Sequence, residues 1–229
     1  MPNDPSALML FAAGFGTRMG VLTQACPKPL LQVGGKALID HALDQVDDVA
    51  PKHIVVNLHY LGHQIRQHLA GRRDIKYSEE LPDILETGGG LRHALPLLGS
   101  GPVYTFNSDA VWLGPNPLAI VRDAWDPGKM DALLLLVSKA QAIGHKGGGD
   151  FEVSSAGLLT RGPGPIYAGV QILKTDRLAG LPETKFSLNA VWDQMIEDDR
   201  LFGVSYPGKW VDVGRPEGIK LAEDLLADV

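Results

Sequence analysis

The chain has 229 residues, 45% of them hydrophobic and 21% charged, and a formal net charge of −6. That length supports one compact α/β domain with a sizeable buried core, while the acidic balance argues against sequence-blind nucleic-acid binding, which needs a basic face to displace phosphate counterions. The lone cysteine, Cys26, excludes an intramolecular disulfide, so folding demands no oxidising compartment.

The first segment, MPNDPSALML, has no cationic stretch ahead of its apolar run. No segment reaches the roughly 20 apolar residues of a membrane span, so a cytoplasmic protein without a membrane partner is expected. ALMLFAA (7–13) reads as a buried strand, and HIVVNL (53–58), PVYTFN (102–107) and DALLLLVS (131–138) follow it. Between them, apolar residues recur at helical spacing: Ala37, Leu38, Ala42, Leu43 and Val46, then Leu61, Ile65 and Leu69, then Leu91, Ala94, Leu95 and Leu98. Strands alternating with helices predict a three-layer αβα, Rossmann-like fold whose ligands lie beyond the carboxyl ends of the strands.

After about residue 140 the pieces shorten. DFEVSS (150–155), IYAGVQIL (166–173) and LFGVSY (201–206) suggest antiparallel or mixed strands added to the sheet or folded over its edge. Helices are expected over 187–198, with Ser187 as its N-cap, and from Pro216 to Ala227. GHKGGGDF (144–151) holds four glycines and reads as a mobile loop near ligand. No inter-domain linker interrupts the chain, which reads as a single domain over 1–229.

The glycines Gly14, Gly16 and Gly20 follow the first strand, where missing Cβ atoms let backbone N–H groups approach a triphosphate and a following helix start would add positive character. The dinucleotide fingerprint fails at Met19, and the terminal Gly-Lys-Ser/Thr of a P-loop is absent. Instead Arg18 lies in the loop, and Lys28 stands between two prolines that restrict its backbone. AAGFGTRM followed by Thr23 and PKPL resembles the signature of the sugar-1-phosphate nucleotidylyltransferases, although the proline usual a few residues after the arginine is replaced by Gly20-Val21.

That resemblance extends nearly end to end. It implies a nucleotidyltransferase fold with a mixed, mainly parallel central sheet and a small added β region, residues to about 140 serving the nucleotide and 141–229 the sugar. Asp109 in YTFNSDAVW and Asp212 in KWVDVGRPEG end apolar strands and match the family's metal positions. Two carboxylates with water and substrate phosphates suit Mg²⁺. The resemblance makes Arg18 and Lys28 the catalytic cations, Arg18 toward the β and γ phosphates and Lys28 toward the α-phosphate or the incoming phosphate.

Nucleotide contacts are expected from Ala13, Gly14, Gly16 and Thr17, with the base approached by Gly88 and Gly89 of LETGGGLRHA; Asn57 is either a base or ribose contact or a turn residue. Asp150 and Gly169 are expected to contact the sugar. The combination of ETGGG, GDF and WVDVG resembles the N-acetylmuramate-1-phosphate uridylyltransferases of cell-wall recycling. Mannose-1-phosphate guanylyl- and glucose-1-phosphate thymidylyl- or uridylyltransferases are the alternatives, followed by a phosphocholine cytidylyltransferase and a non-catalytic nucleotide-sugar sensor. The expected partners are an NTP and a sugar 1-phosphate, in a monomer or small homo-oligomer. His59 and His63 stand one helical turn apart, but no acidic or cysteine ligand joins them at a zincin-like spacing, so with His68 they read as surface or cap residues, and the four tryptophans as packing.

Overall fold

A computed structural model describes residues 4–227. The N-terminal reading of residues 1–3 lies outside them, as do residues 228 and 229. In chain order the strands are β1 (Ala7–Phe11), β2 (Gln32–Val33), β3 (Lys36–Ala37), β4 (His53–Leu58), β5 (Ile75–Glu79), β6 (Val103–Asn107), β7 (Ala110–Leu113), β8 (Ala132–Val137), β9 (Ala142–Ile143), β10 (Phe151–Val153), β11 (Leu159–Arg161), β12 (Ile166–Leu173), β13 (Leu201–Ser205) and β14 (Lys209–Asp212). The α-helices are α1 (Leu38–Val49), α2 (Gly62–His68), α3 (Glu86–Leu98), α4 (Pro117–Ala124), α5 (Asn189–Glu197) and α6 (Pro216–Ala227).

Alternation along β1 sets the layers. Leu8 and Leu10 pack with Ile39, Ala42, Leu43 and Val46 of α1 on one face of the sheet. Ala7 and Met9 pack with Leu91, Ala94 and Leu98 of α3 on the other. Seven strands form the central sheet in the order β13-β8-β12-β6-β1-β4-β5. All run one way except β12, which is antiparallel to β6 and β8. The chain leaves β1 toward β4 and β5 on one flank and then returns to β6 on the other. Connections diverging from the carboxyl ends of β1 and β6 open a crevice there, as at the switch points of other α/β sheets.

The strands after residue 140 are not confined to the sheet edge. The continuous apolar run of β12 is buried on both faces and wedged between β6 and β8. The small β region is a separate sheet, β7-β14-β9, whose Val111 and Val211 share an apolar cluster with Ala222 and Leu225 of α6. The glycine loop leads not into an α-helix but into 3₁₀ turns over Thr17–Thr23, interrupted at Gly20. Helix α5 starts one residue late for a Ser187 cap, Leu188 taking that position, although the Ser187 hydroxyl oxygen accepts the Asn189 N–H at 3.2 Å. Among the described residues no helix is long and apolar enough to cross a membrane.

At the opposite end of the sheet from the crevice, Lys174 (3.1 Å), Arg177 (2.7 Å) and Arg200 (3.2 Å) converge on Asp131, tying the starts of β8 and β13 to the end of β12. Burial pushes the Asp131 carboxyl up, but hydrogen bonds from Arg177, Lys174 and Arg200 outweigh it and hold the group below its ordinary range. A depressed folded pKa gives stability that is present above the unfolded value of about 4 and is lost as pH falls through the folded one. Asp131→Asn is therefore expected to cost about 2 kcal/mol at neutral pH. Urea unfolding at pH 7 and pH 3 checks this: the gap between wild type and variant should shrink in acid, and an equal gap at both would refute the assignment.

Candidate active site

The glycine loop is pinned from both ends. Ala12 donates its N–H to Asn57 Oδ1 at 2.7 Å, and Asn57 Nδ2 donates to Glu80 Oε1 at 2.6 Å. Glu80 Oε2 in turn accepts the Leu85 N–H at 2.7 Å. Gly16 sits at φ 64°, where a Cβ would stand 2.9 Å from Thr23 Cγ2 and 3.0 Å from Lys28 Cβ. The Thr23 hydroxyl donates to the Gly16 carbonyl at 3.0 Å, which closes the loop on itself. Met19 plugs into the cluster of Val211 and Val213, so its neighbour Arg18 is held over the end of β14.

Two carboxylates arrive from different parts of the chain through one ladder. Asp109 occupies the turn between β6 and β7; Asp212, the last residue of β14, is the register partner of Ala110. Val213 donates its N–H to the Asp109 carbonyl at 3.0 Å, locking the two segments side by side. Lys28, buried between Pro27 and Pro29, places its Nζ 2.5 Å from Asp109 Oδ2. Gly214 lacks the Cβ that would stand 2.7 Å from Asp212 Oδ1 and 3.3 Å from Arg18 Nη2, so guanidinium and carboxylate flank the same glycine.

The charges couple. Burial raises the Asp109 carboxyl, but Lys28 and then Arg18 outweigh that effect and leave it below its usual range. Asp212 is pushed up instead, first by burial and then by the neighbouring Asp109 charge, against the pull of Lys28, Arg18 and His145. One cleft of about 200 Å³ is lined by Ala13, Gly14, Lys28, Asn57, Glu80, Thr87 and Asp109 among others. A second, of about 260 Å³, is lined by Arg18, His145, Lys146, Asp212 and Arg215 with Gly144 and Gly147.

Thus Ala13, Gly14, Lys28, Asn57 and Asp109 meet in one cleft, and Arg18 meets Asp212 in the other. Gly16 and the exposed Thr17 shape the loop without lining either cleft. One expectation, that of Gly88 and Gly89, needs correction, and three other residues have local partners. Gly88 and Gly89 lie inside α3, and both N–H groups donate to the Phe186 carbonyl at 2.9 and 3.0 Å, which leaves neither for a base. A Cβ on Gly88 would strike the Phe186 ring, and one on Gly89 would stand 2.5 Å from the Thr184 carbonyl oxygen, so these glycines serve helix packing. Asn57 is a buried pin whose amide holds Ala12 and Glu80.

Asp150 is exposed, and its Oδ2 accepts the Tyr167 N–H at 2.9 Å, fastening the loop to β12. Gly169, at φ 84° in an irregular stretch of β12, leaves room for the Asn107 side chain, from which a Cβ would stand 2.8 Å. Asn107 itself lines the first cleft.

The sequence reading missed Glu80, His145, Lys146 and Arg215. The last three had a signal: GHK opens the glycine-rich loop, and Arg215 lies three residues after Asp212. The β9–β14 pairing carries His145 to Asp212, with Nδ1 3.7 Å from Oδ2. His68 pairs with Asp40, and His59 Nδ1 lies 2.6 Å from the Glu80 carbonyl, as surface roles require.

Asn57→Ala should leave the Ala12 N–H and the buried Glu80 carboxylate short of a partner and cost about 2–3 kcal/mol. Thermal unfolding measures it; an unchanged melting temperature would refute the pinning role.

Asp109 and Asp212 make a sparse set of hard oxygen donors, and among the described residues no group of three His, Cys, Asp or Glu side chains converges. Such a set fits Mg²⁺, which completes its shell with water and substrate phosphates, and does not fit zinc.

Residues 8–146 match the MobA-like NTP transferase domain. The chain is 40% identical to the N-acetylmuramate alpha-1-phosphate uridylyltransferase of Caulobacter vibrioides, over the whole of both chains. It is 33% identical to the enzyme of that name from Neisseria meningitidis serogroup B, over 95% of this chain and 96% of that one. Its fold superposes on HddC from Yersinia pseudotuberculosis, solved in complex with GMP-PN, with a TM-score of 0.77 and 18% identity over 96% of this chain and 99% of that one.

Proposed function

The chain belongs to the MobA-like NTP transferase family and is a nucleotidyltransferase, and on that premise we propose that it transfers the uridylyl group of UTP to N-acetylmuramate 1-phosphate in the cytoplasm. The observation that carries this reading is the meeting of Lys28, Arg18, Asp109 and Asp212 at the carboxyl end of β1 and β6.

A phosphate oxygen of the acceptor forms a bond to the α-phosphorus of UTP as the bond from that phosphorus to the β-phosphate oxygen breaks, and the electron pair leaves with pyrophosphate. The acceptor phosphate is already ionised near neutral pH, so the protein supplies position and charge rather than a nucleophile. Lys28 neutralises the α-phosphate or the approaching acceptor phosphate. Arg18 offers its planar fork to the β and γ phosphates. Asp109 and Asp212 would hold Mg²⁺, which when bound screens repulsion between the two anions. Ala13 and Gly14, without bulk, let the nucleotide lie against the backbone of the first cleft.

The test is a matrix of four NTPs against N-acetylmuramate, N-acetylglucosamine, glucose and mannose 1-phosphates, scored by pyrophosphate release with Mg²⁺. Preference for UTP with the muramate is expected. Turnover confined to GTP with mannose 1-phosphate, or to dTTP with glucose 1-phosphate, would overturn the assignment of substrates but not of reaction.

A further inference from the structure

The second cleft holds more positive charge than the single Arg18 assigned to it. Arg66, Arg72, Arg122, Arg161, Arg177 and Arg200 each lie within ion-pair distance of a carboxylate. Arg18, Lys146 and Arg215 form no such pair among the described residues, yet all three line the same 260 Å³ cavity around Asp212.

Three segments bring them there. Met19 anchors Arg18, as described; the last turn before α6 carries Arg215, whose carbonyl accepts the Gly218 N–H at 2.9 Å. Pairing of Ala142 and Ile143 with Trp210 and Val211 delivers the segment 144–147 to Asp212, and Gly144, at φ 78°, lies so close that a Cβ would stand 3.0 Å from the Asp212 carbonyl oxygen. Within the same wall His145 Nε2 is buried without a hydrogen-bond partner. Unpaired cations gathered around one carboxylate repel one another, an arrangement that becomes favourable when a polyanion enters.

We propose that Lys146 and Arg215 are pyrophosphate-binding residues, which together with Arg18 hold the β and γ phosphates of the nucleotide and the pyrophosphate they become. This rests on the nucleotidyl-transfer reading and deepens it. The cleft lies at the far end of the glycine loop from Ala13 and Gly14, so a triphosphate whose base enters the first cleft runs along the loop toward Arg18. The second half of the chain then supplies the charge that stabilises the departing group.

The experiment runs the reaction backward, from UDP-N-acetylmuramate and pyrophosphate. The double variant Lys146→Ala with Arg215→Ala is expected to raise the KM for pyrophosphate at least about tenfold, the loss expected from even one of the two charge-assisted contacts removed, with the KM for the nucleotide sugar within about twofold. The charge-conserving pair Lys146→Arg with Arg215→Lys should restore most of the loss. An unchanged KM for pyrophosphate overturns the proposal, and so does a rise confined to the nucleotide sugar, which would assign the cleft to the acceptor. Calorimetric titration with magnesium pyrophosphate separates this from the broader reading. If wild type turns nothing over, the proposed reaction fails, while equal pyrophosphate affinity in wild type and double variant sinks the present inference alone.

Discussion

Asp109→Ala is expected to lower kcat by at least about a thousandfold while the protein remains folded. Asp109 is the partner of the buried Lys28 ammonium, a neighbour of Asp212 in charge and, through its carbonyl, in the ladder that builds the site. The substitution keeps that carbonyl and removes only the carboxylate. The fold is expected to survive at lower stability, since Lys28 loses its partner, and what disappears is a hard oxygen donor and the anion that orients Lys28. Three measurements belong together: far-ultraviolet circular dichroism to show the fold, pyrophosphate release to show the rate, and equilibrium dialysis of Mn²⁺ to show the ion. Loss of turnover with unchanged Mn²⁺ affinity would move Asp109 out of the metal site, and near-normal turnover would remove it from the chemistry altogether.

Lys28→Ala should cost about a hundred- to a thousandfold in kcat, in keeping with the loss of one preorganised charge at a reacting phosphate. The ammonium is held by its flanking prolines and by the 2.5 Å contact with Asp109, so it is in place before substrate arrives. Lys28→Arg should rescue little, because a planar guanidinium is too wide for a position whose side chain is 10% exposed. The pH profile gives an independent check. Lys28 lowers both the Asp109 and Asp212 carboxyls, so its removal lets both rise, and the acid limb of the rate profile in Lys28→Ala should move to higher pH. An unmoved limb would mean that these carboxylates do not control the rate.

Much of the frame was legible because each major strand is a short apolar run with clear ends: HIVVNL and IYAGVQIL coincide with β4 and β12. Helix α6 begins at Pro216 as expected. The elements overlooked were short or at the edge of the sheet. IKYSE of β5 pairs only with β4 at the edge of the sheet, and α4 is eight residues long, about two turns on which Leu118 and Val121 mark the buried face, with its start signalled by Asn116, whose Oδ1 accepts the Leu118 and Ala119 N–H groups ahead of Pro117.

At the site, the charged quartet was readable because its residue types are rare in that context. The glycine run of α3 misled: a missing Cβ looks the same in sequence whether a ligand or another stretch of backbone takes the space, and here Thr184 and Phe186 take it. Lys146 and Arg215 were invisible as a pair because only the β9–β14 register, a long-range fact, brings their segments together.

The reversed strand in the middle of the sheet governs the order of assembly. A ribosome releases β1, β4, β5 and β6 long before residues 166–173, and until then the last of these has an open rim where its eventual neighbour belongs. β8, though made earlier, has nothing to join within the sheet until β12 and β13 exist. The nascent chain therefore carries an unpaired, apolar border through roughly a third of its synthesis, a window in which edge-to-edge association competes with completion. Closure of that border is the step that turns two half-sheets into one enzyme.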